Sequence, residues 1–431
     1  MSGEVDLVKS TTIGPGTRLR LAAGLLLTAA AVVARSEDWP EFRGPTGQGL
    51  AQAAALPVRW DLTRNVRWKV QVPGKGWSSP IVMQGRIFLT AAVPSEEDPP
   101  KQQSLRTVCL DAATGEILWN VEVFLKVMGP GETINVKNSF ASPTPITDGK
   151  FVFVHFGPDG TACLDRDGKR VWANDRLRYD SVHGAGGSPV FAGSRLVFHG
   201  DGAEDPFVVA LDRDSGTVAW RTSRLPMAAP RWSFATPLVI EVQGARQLVS
   251  PAAQMVCSYD PASGQELWRV RYPNKWSIVP RPVFSHGLVF VCTGYEGPAE
   301  LLAIRPTGFG DVTDSHLAWR TGSHIPHTPS PLVVGNEIFL VSDNGIASCR
   351  DVETGELLWR ERVPGNYSAS PVHAAGCIYM ASERGVCTVI AAGREYRQLG
   401  SNDLGEPILA SLAVADGAIF VRTANSLYRI E

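Results

Sequence analysis

No two of the seven cysteines in this 431-residue chain stand side by side, and none belongs to a C-x-x-C pair. Cys109, Cys163, Cys257, Cys292, Cys349, Cys377 and Cys387 fall mostly in apolar, strand-like stretches. An odd count in that setting marks small core hydrophobes and gives no disulfide framework, although a bridge between repeats stays open. A surplus of charge is missing as well: 41 Lys and Arg stand against 43 Asp and Glu, a formal net charge of −2. That balance leaves no electrostatic footprint for nucleic acid or an anionic membrane. Segments of helical period are almost absent. The one long apolar run, Leu21 to Val33, is too short to span a bilayer comfortably. It follows Arg18 and Arg20 and precedes Ala34-Arg35-Ser36, the charged, apolar and small-residue order of a secretory signal. Residues 1–36 therefore read as a cleaved signal peptide, with an uncleaved anchor as the other reading. The mature chain is then periplasmic or secreted, without a transmembrane span. No cysteine follows the run, so a lipid anchor there has no support.

What the chain does have is one phrase, repeated. A small residue followed by Pro opens each unit, as in Ser79-Pro80, Ser142-Pro143, Ser188-Pro189, Thr236-Pro237, Ser330-Pro331 and Ser370-Pro371, with Arg281-Pro282 in the same register. A turn phrase ending in Trp closes it, clearest in Leu110-Asp111-Ala112-Ala113-Thr114-Gly115-Glu116-Ile117-Leu118-Trp119. The closing residues are Trp68, Trp119, Trp172, Trp220, Trp268, Trp319 and Trp359. A spacing of about 40 to 50 residues filled with short strands is a propeller period. In Asp-x-x-Thr-Gly-Glu, Asp caps the turn through nearby backbone N–H groups, and Gly supplies the positive φ that other residues resist. The Trp then lands on the outer strand, where its ring wedges between neighbouring blades. Asp165-Arg166-Asp167-Gly168 is a shorter version of the turn, and Arg305 to His316 a longer one without the Asp. The last stretch, Ile408 to Ile430, holds only three strands, and Val66-Arg67-Trp68-Lys69-Val70 supplies the missing outer one. The expected fold is all-β: an eight-bladed β-propeller of four-stranded antiparallel blades over 66–431, its ring closed by an N-terminal strand, after an entry segment at 37–65.

The Leu-Asp-x-x-Thr-Gly-Glu-x-x-Trp phrase resembles the repeat of the pyrroloquinoline-quinone-like (PQQ-like) propellers over Trp68 to Glu431. That family includes quinoprotein alcohol dehydrogenases and the outer-membrane protein assembly lipoprotein of the β-barrel machinery. The entry phrase Asp38-Trp39-Pro40-Glu41-Phe42-Arg43-Gly44-Pro45 resembles that of exported, planctomycete-type members. The resemblance implies the fold and opens two functional classes, because one fold hosts many functions. One is a non-catalytic binding or scaffold protein of the cell envelope. The other is a PQQ-dependent, quinoprotein dehydrogenase-like oxidoreductase, which in the family relies on a vicinal Cys-Cys disulfide, a calcium held by acidic and Asn side chains, and an Asp base. The sequence has no Cys-Cys and no Asp on a matching motif, so no catalytic residue carries over, and PQQ stays open as a cofactor although the motifs of its site are absent.

Other chemical signals are thin. Pro73-Gly74-Lys75-Gly76-Trp77-Ser78-Ser79 lacks the gap of a phosphate loop and leads into a strand, so no helix N-terminus is available. The acidic loop Asp201 to Asp205 lacks the spacing of a dedicated calcium loop, and His324 and His327 lack a third zinc ligand. No metal is expected. In a propeller, the loops from each outer strand to the next inner strand gather at one mouth of the channel. Here they carry Lys75, Lys137, Asn138, His324 and Asn366 beside the expected ligand-binding set: Trp77, His183, Arg231, Trp232, Trp276, Arg281, His327 and Tyr367. Singly, such residues pack between blades or face solvent. Together they would stack on sugars or flat rings and pair with anions. An envelope protein, a glycan and a small anionic ligand all remain open as partners, so a carbohydrate- or polyanion-binding protein is a third class.

Overall fold

The computed structural model describes residues 37–431 except 54, 98–100, 130–131, 203–204, 225–231 and 273–274. The signal peptide expected at 1–36 thus lies outside the described residues. Eight blades follow one another, each built on four antiparallel strands, and the fourth carries a short parallel strand in addition. In the first blade Ile81–Met83, Arg86–Pro94, Gln102–Asp111 and Ile117–Val127 pair in sequence order. In the seventh, Val372–Ala374, Cys377–Ala381, Val386–Ala391 and Gln398–Asp403 do the same. Apolar residues on the inner three strands face the neighbouring blades. Phe88 and Leu105 of blade 1 share one cluster with Val152 and Leu164 of blade 2. Outer strands such as Val218–Ser223 stay half-exposed. All seven cysteines are free thiols within these strands, six of them buried.

The eighth blade joins the two ends of the chain, as the three-strand remnant required. Val66–Gln71 runs antiparallel to Ser426–Ile430, with Val66 opposite Ile430 and Val70 opposite Leu427. A ring closed in this way leaves no broken blade with an open edge.

The repeated Trp acts on the turn of the next blade. Trp119 Nε1 donates to the Arg166 carbonyl at 2.9 Å, Trp172 to that of Arg213 at 2.8 Å, and Trp220 to that of Pro261 at 3.0 Å. Each acceptor follows the Asp that caps its turn. The same indoles lie against the turn glycines, so that a Cβ on Gly168, Gly216 or Gly264 would collide with the ring. Glycine is thus needed there twice, for φ of 70–84° and for the contact. Six of the seven rings remain half-buried, and only Trp268 is fully buried. The reason is the longer turn of blade 5. Its Gly310–Asp311 pairs beside Glu266–Arg271 as a fifth strand and covers the indole, which donates to Gln247 at 2.8 Å.

Two buried histidines at the ends of second strands make the fold acid-sensitive. Burial pushes His155 down to about 3, while burial and then the Arg224 charge hold His199 well below the ordinary range. Unfolded, both take up protons near pH 6.5. Their contribution is complete above that pH and is lost as pH falls toward the folded values. Asp201, pushed up to about 6 by burial, acts in the opposite sense below pH 6. Glu41 and Asp159, which burial also raises, act in the same sense as Asp201, so the test isolates one histidine. His155 should contribute a fall in unfolding free energy of up to about 1.4 kcal/mol per pH unit on acidification from pH 6 to 4. The decline should be shallower in His155→Phe when denaturation midpoints are compared across pH. An identical slope would mean that His155 does not gain a proton on unfolding.

Candidate functional site

The entry segment closes one end of the channel. Trp39 N donates to the Val82 carbonyl of blade 1 at 2.7 Å, Thr147 N of blade 2 to that of Pro40 at 3.0 Å, and Ala51 N to that of His373 in blade 7 at 2.9 Å. Phe284 N of blade 5 donates to Gln48 Oε1 at 2.6 Å. A stretch that touches four blades acts as a plug, and its Phe42 lines the cavity above.

Over that plug the opening phrase of each repeat builds a ring. Ser79 N donates to Thr144 Oγ1 at 2.9 Å, Thr144 N to Ser188 Oγ at 2.9 Å, and Ser188 N to Thr236 Oγ1 at 3.0 Å. Blade 5 places Arg281 in the next position. From there Arg281 N donates to Ser330 Oγ at 2.9 Å, Ser330 N to Ser370 Oγ at 3.0 Å, and Ser370 N to Ser411 Oγ at 2.9 Å. Hydroxyl residues thus fill seven of the eight ring positions, and all seven line one cavity of about 510 Å³. The register expected for blade 2 needs correction, because Thr144-Pro145 and not Ser142-Pro143 occupies the ring. The chain has two such dipeptides in a row, Ser142-Pro143-Thr144-Pro145, and the second is the one that leads directly into the inner strand Ile146–Thr147.

Above the ring the mouth is aromatic. Trp77, His183 and Trp276 line the cavity, and Trp276 is 50% exposed. Trp232 stands behind them, its ring 6.3 Å from His183 and 6.4 Å from Trp276. A short parallel ladder, Trp232–Ser233 beside Ser277–Ile278, fixes that pair of tryptophans. His327 stacks on Tyr295 at 4.8 Å, and the nearby Asp343 carboxylate holds its imidazole above the ordinary range. Tyr295 lines the cavity and reaches Thr328 at 2.8 Å. Lys137 also lines it, but is paired with Glu383 at 2.7 Å.

Of the eight residues expected at the mouth, Trp77, His183 and Trp276 face the cavity, while Trp232 and His327 support its rim. Two are placed elsewhere. Arg281 turns down to the plug, where it donates to the Phe42 carbonyl and pairs with Glu41 at 3.0 Å. Tyr367 is fully buried between blades, with its hydroxyl on the Pro364 carbonyl at 3.0 Å. Arg231 lies outside the described residues. His324 turns away from His327 toward Arg360, at 3.2 Å. Missed in the sequence were the hydroxyl ring, Tyr295, Asn135 and Glu296. The signal for the ring was the Ser/Thr-Pro phrase itself.

No three His, Cys, Asp or Glu side chains among the described residues lie close enough to hold a metal ion. With the cysteines also single, the channel residues do not fit a calcium-bound quinone under a vicinal disulfide. The model of the outer membrane protein assembly factor BamB family matches residues 103–311 and 307–398. Among solved structures, BamB from Moraxella catarrhalis superimposes with a TM-score of 0.60 at 13% identity, covering 85% of this chain and 97% of that one. The computationally designed Ika8 protein gives 0.56 at 11% identity, over 89% of this chain and 99% of that one. Quinohemoprotein alcohol dehydrogenase from Comamonas testosteroni gives 0.44 at 12%, over 91% and 80%, too loose to carry an argument. No curated protein matches. At such identities the structural likeness speaks for the fold alone.

Proposed function

Because the chain belongs to the PQQ-like propeller family of outer membrane protein assembly factor BamB, we propose that it is a non-catalytic binding or scaffold protein of the cell envelope, holding its ligand or partner at the channel mouth. The observation that carries this reading is the cavity, closed below by Phe42, walled by ring hydroxyls and open above between Trp77, His183 and Trp276. A concavity that joins aromatic faces to convergent polar groups is the usual form of a small-molecule site. Export is part of the same proposal and rests on the leader read at 1–36. The described residues hold no helix long and apolar enough to cross a membrane.

Trp276 gives the test, because a half-exposed ring can be removed with little effect on the fold. A screen of small acids, saccharides and envelope-protein peptides by melting temperature should give a binder whose affinity falls about tenfold in Trp276→Ala. Loss of one aromatic contact, about 1.4 kcal/mol, corresponds to that factor. A binder held equally well by wild type and variant would place the site elsewhere.

A further inference from the structure

We propose that the hydroxyl ring is an anion site, which holds the carboxylate, phosphate or sulfate end of a small organic acid whose body rests against the aromatic mouth. The proposal rests on the channel-mouth reading and adds the ligand's class. Six ring oxygens already accept a backbone N–H from the neighbouring blade. None of the ring hydroxyls donates to any other described residue, so their O–H groups stand at the cavity wall as donors. An oxyanion only accepts, and a row of donors is its complement.

The charge behind the ring has the matching sign. Arg281 is itself a ring member. Arg422 donates to the Ser78 carbonyl at 3.1 Å, one residue from Ser79, and Arg43 reaches the carbonyl of Pro371 at 3.4 Å, one residue from Ser370. All three arginines are buried, and among the described residues the carboxylate that pairs with any of them is Glu41, on Arg281. Arg43 keeps Nε and Nη1 buried without a partner. Burial, with repulsion from Arg281, pulls Arg43 down to about 9, and burial alone does the same to Arg422, so both are short of negative charge. Among the described residues that line the cavity above the ring, the one lysine, Lys137, is already paired with Glu383, and Glu296 adds an acid. An anion is therefore drawn to the floor and not to the rim. The cavity, about 510 Å³, has room above the ring for more than an inorganic ion.

Citrate, inorganic phosphate and sulfate serve as probes, with maltose as the neutral comparison, at constant ionic strength. Calorimetric titration should find at least one oxyanion bound, and its affinity should fall at least about tenfold in Thr236→Val and in Arg43→Gln. Thr236→Val keeps side-chain shape and serves if Arg43→Gln fails to fold. No binding of any of the three oxyanions, or equal binding to wild type and Thr236→Val, overturns the proposal. Maltose bound in place of the anions, and lost in Trp276→Ala, would also overturn it while leaving the mouth reading intact. Anion binding that responds to Thr236→Val but not to Trp276→Ala would uphold the ring and remove the mouth.

Discussion

A chain that begins at Gln71 is expected to aggregate, whereas one that begins at Glu37 stays soluble and melts like the full chain. The longer deletion removes the outer strand of blade 8 and exposes the edge of Ser426–Ile430, a template for pairing with another molecule. It also removes the plug. Trp39 and Trp60 are both almost fully buried, and Trp60 stacks on Tyr379 with centroids 6.3 Å apart. Each such loss costs about 3 to 5 kcal/mol, so two of them approach the whole stability of a typical domain. Light scattering and thermal melts of the two truncations decide the matter. A soluble, equally stable chain from Gln71 onward would show that neither the closing strand nor the plug holds the ring.

Trp268→Ala is expected to destabilise by about 3 to 5 kcal/mol, as other fully buried large-to-small changes do. It also leaves Gln247 without its indole donor. Trp119→Ala should cost about half as much, because its ring is half-buried and the carbonyl of Arg166 that it leaves lies in a surface turn. Urea denaturation of both variants measures the difference. Equal losses would mean that the fifth strand over Trp268 adds no packing.

The parts of the fold that repeat were legible in the sequence. Asp111, Gly115 and Trp119 sit in one local phrase whose turn chemistry requires those residues, and the same requirement recurs at Asp351, Gly355 and Trp359. Closure by Val66–Gln71 could be inferred because a three-strand remnant must find a fourth. Side-chain direction was not legible. Arg281 has the right register for the mouth, yet its guanidinium answers to Glu41, 240 residues earlier in the chain. Tyr367 sits in a mouth loop, but its ring packs into the seam between blades 6 and 7. The ring hydroxyls were read as strand openers, since the Ser/Thr-Pro phrase marks their position in each repeat but not the bond that each accepts from the neighbouring blade.

The binding account is tested most directly by native mass spectrometry of the protein released gently from its own cells, beside the Trp276→Ala variant prepared in the same way. Wild type should carry a small molecule at near one copy per chain, and the variant should have lost most of it. A wild type and variant of identical mass apart from the substitution, each with the same adduct or each with none, would contradict a ligand held at the channel mouth.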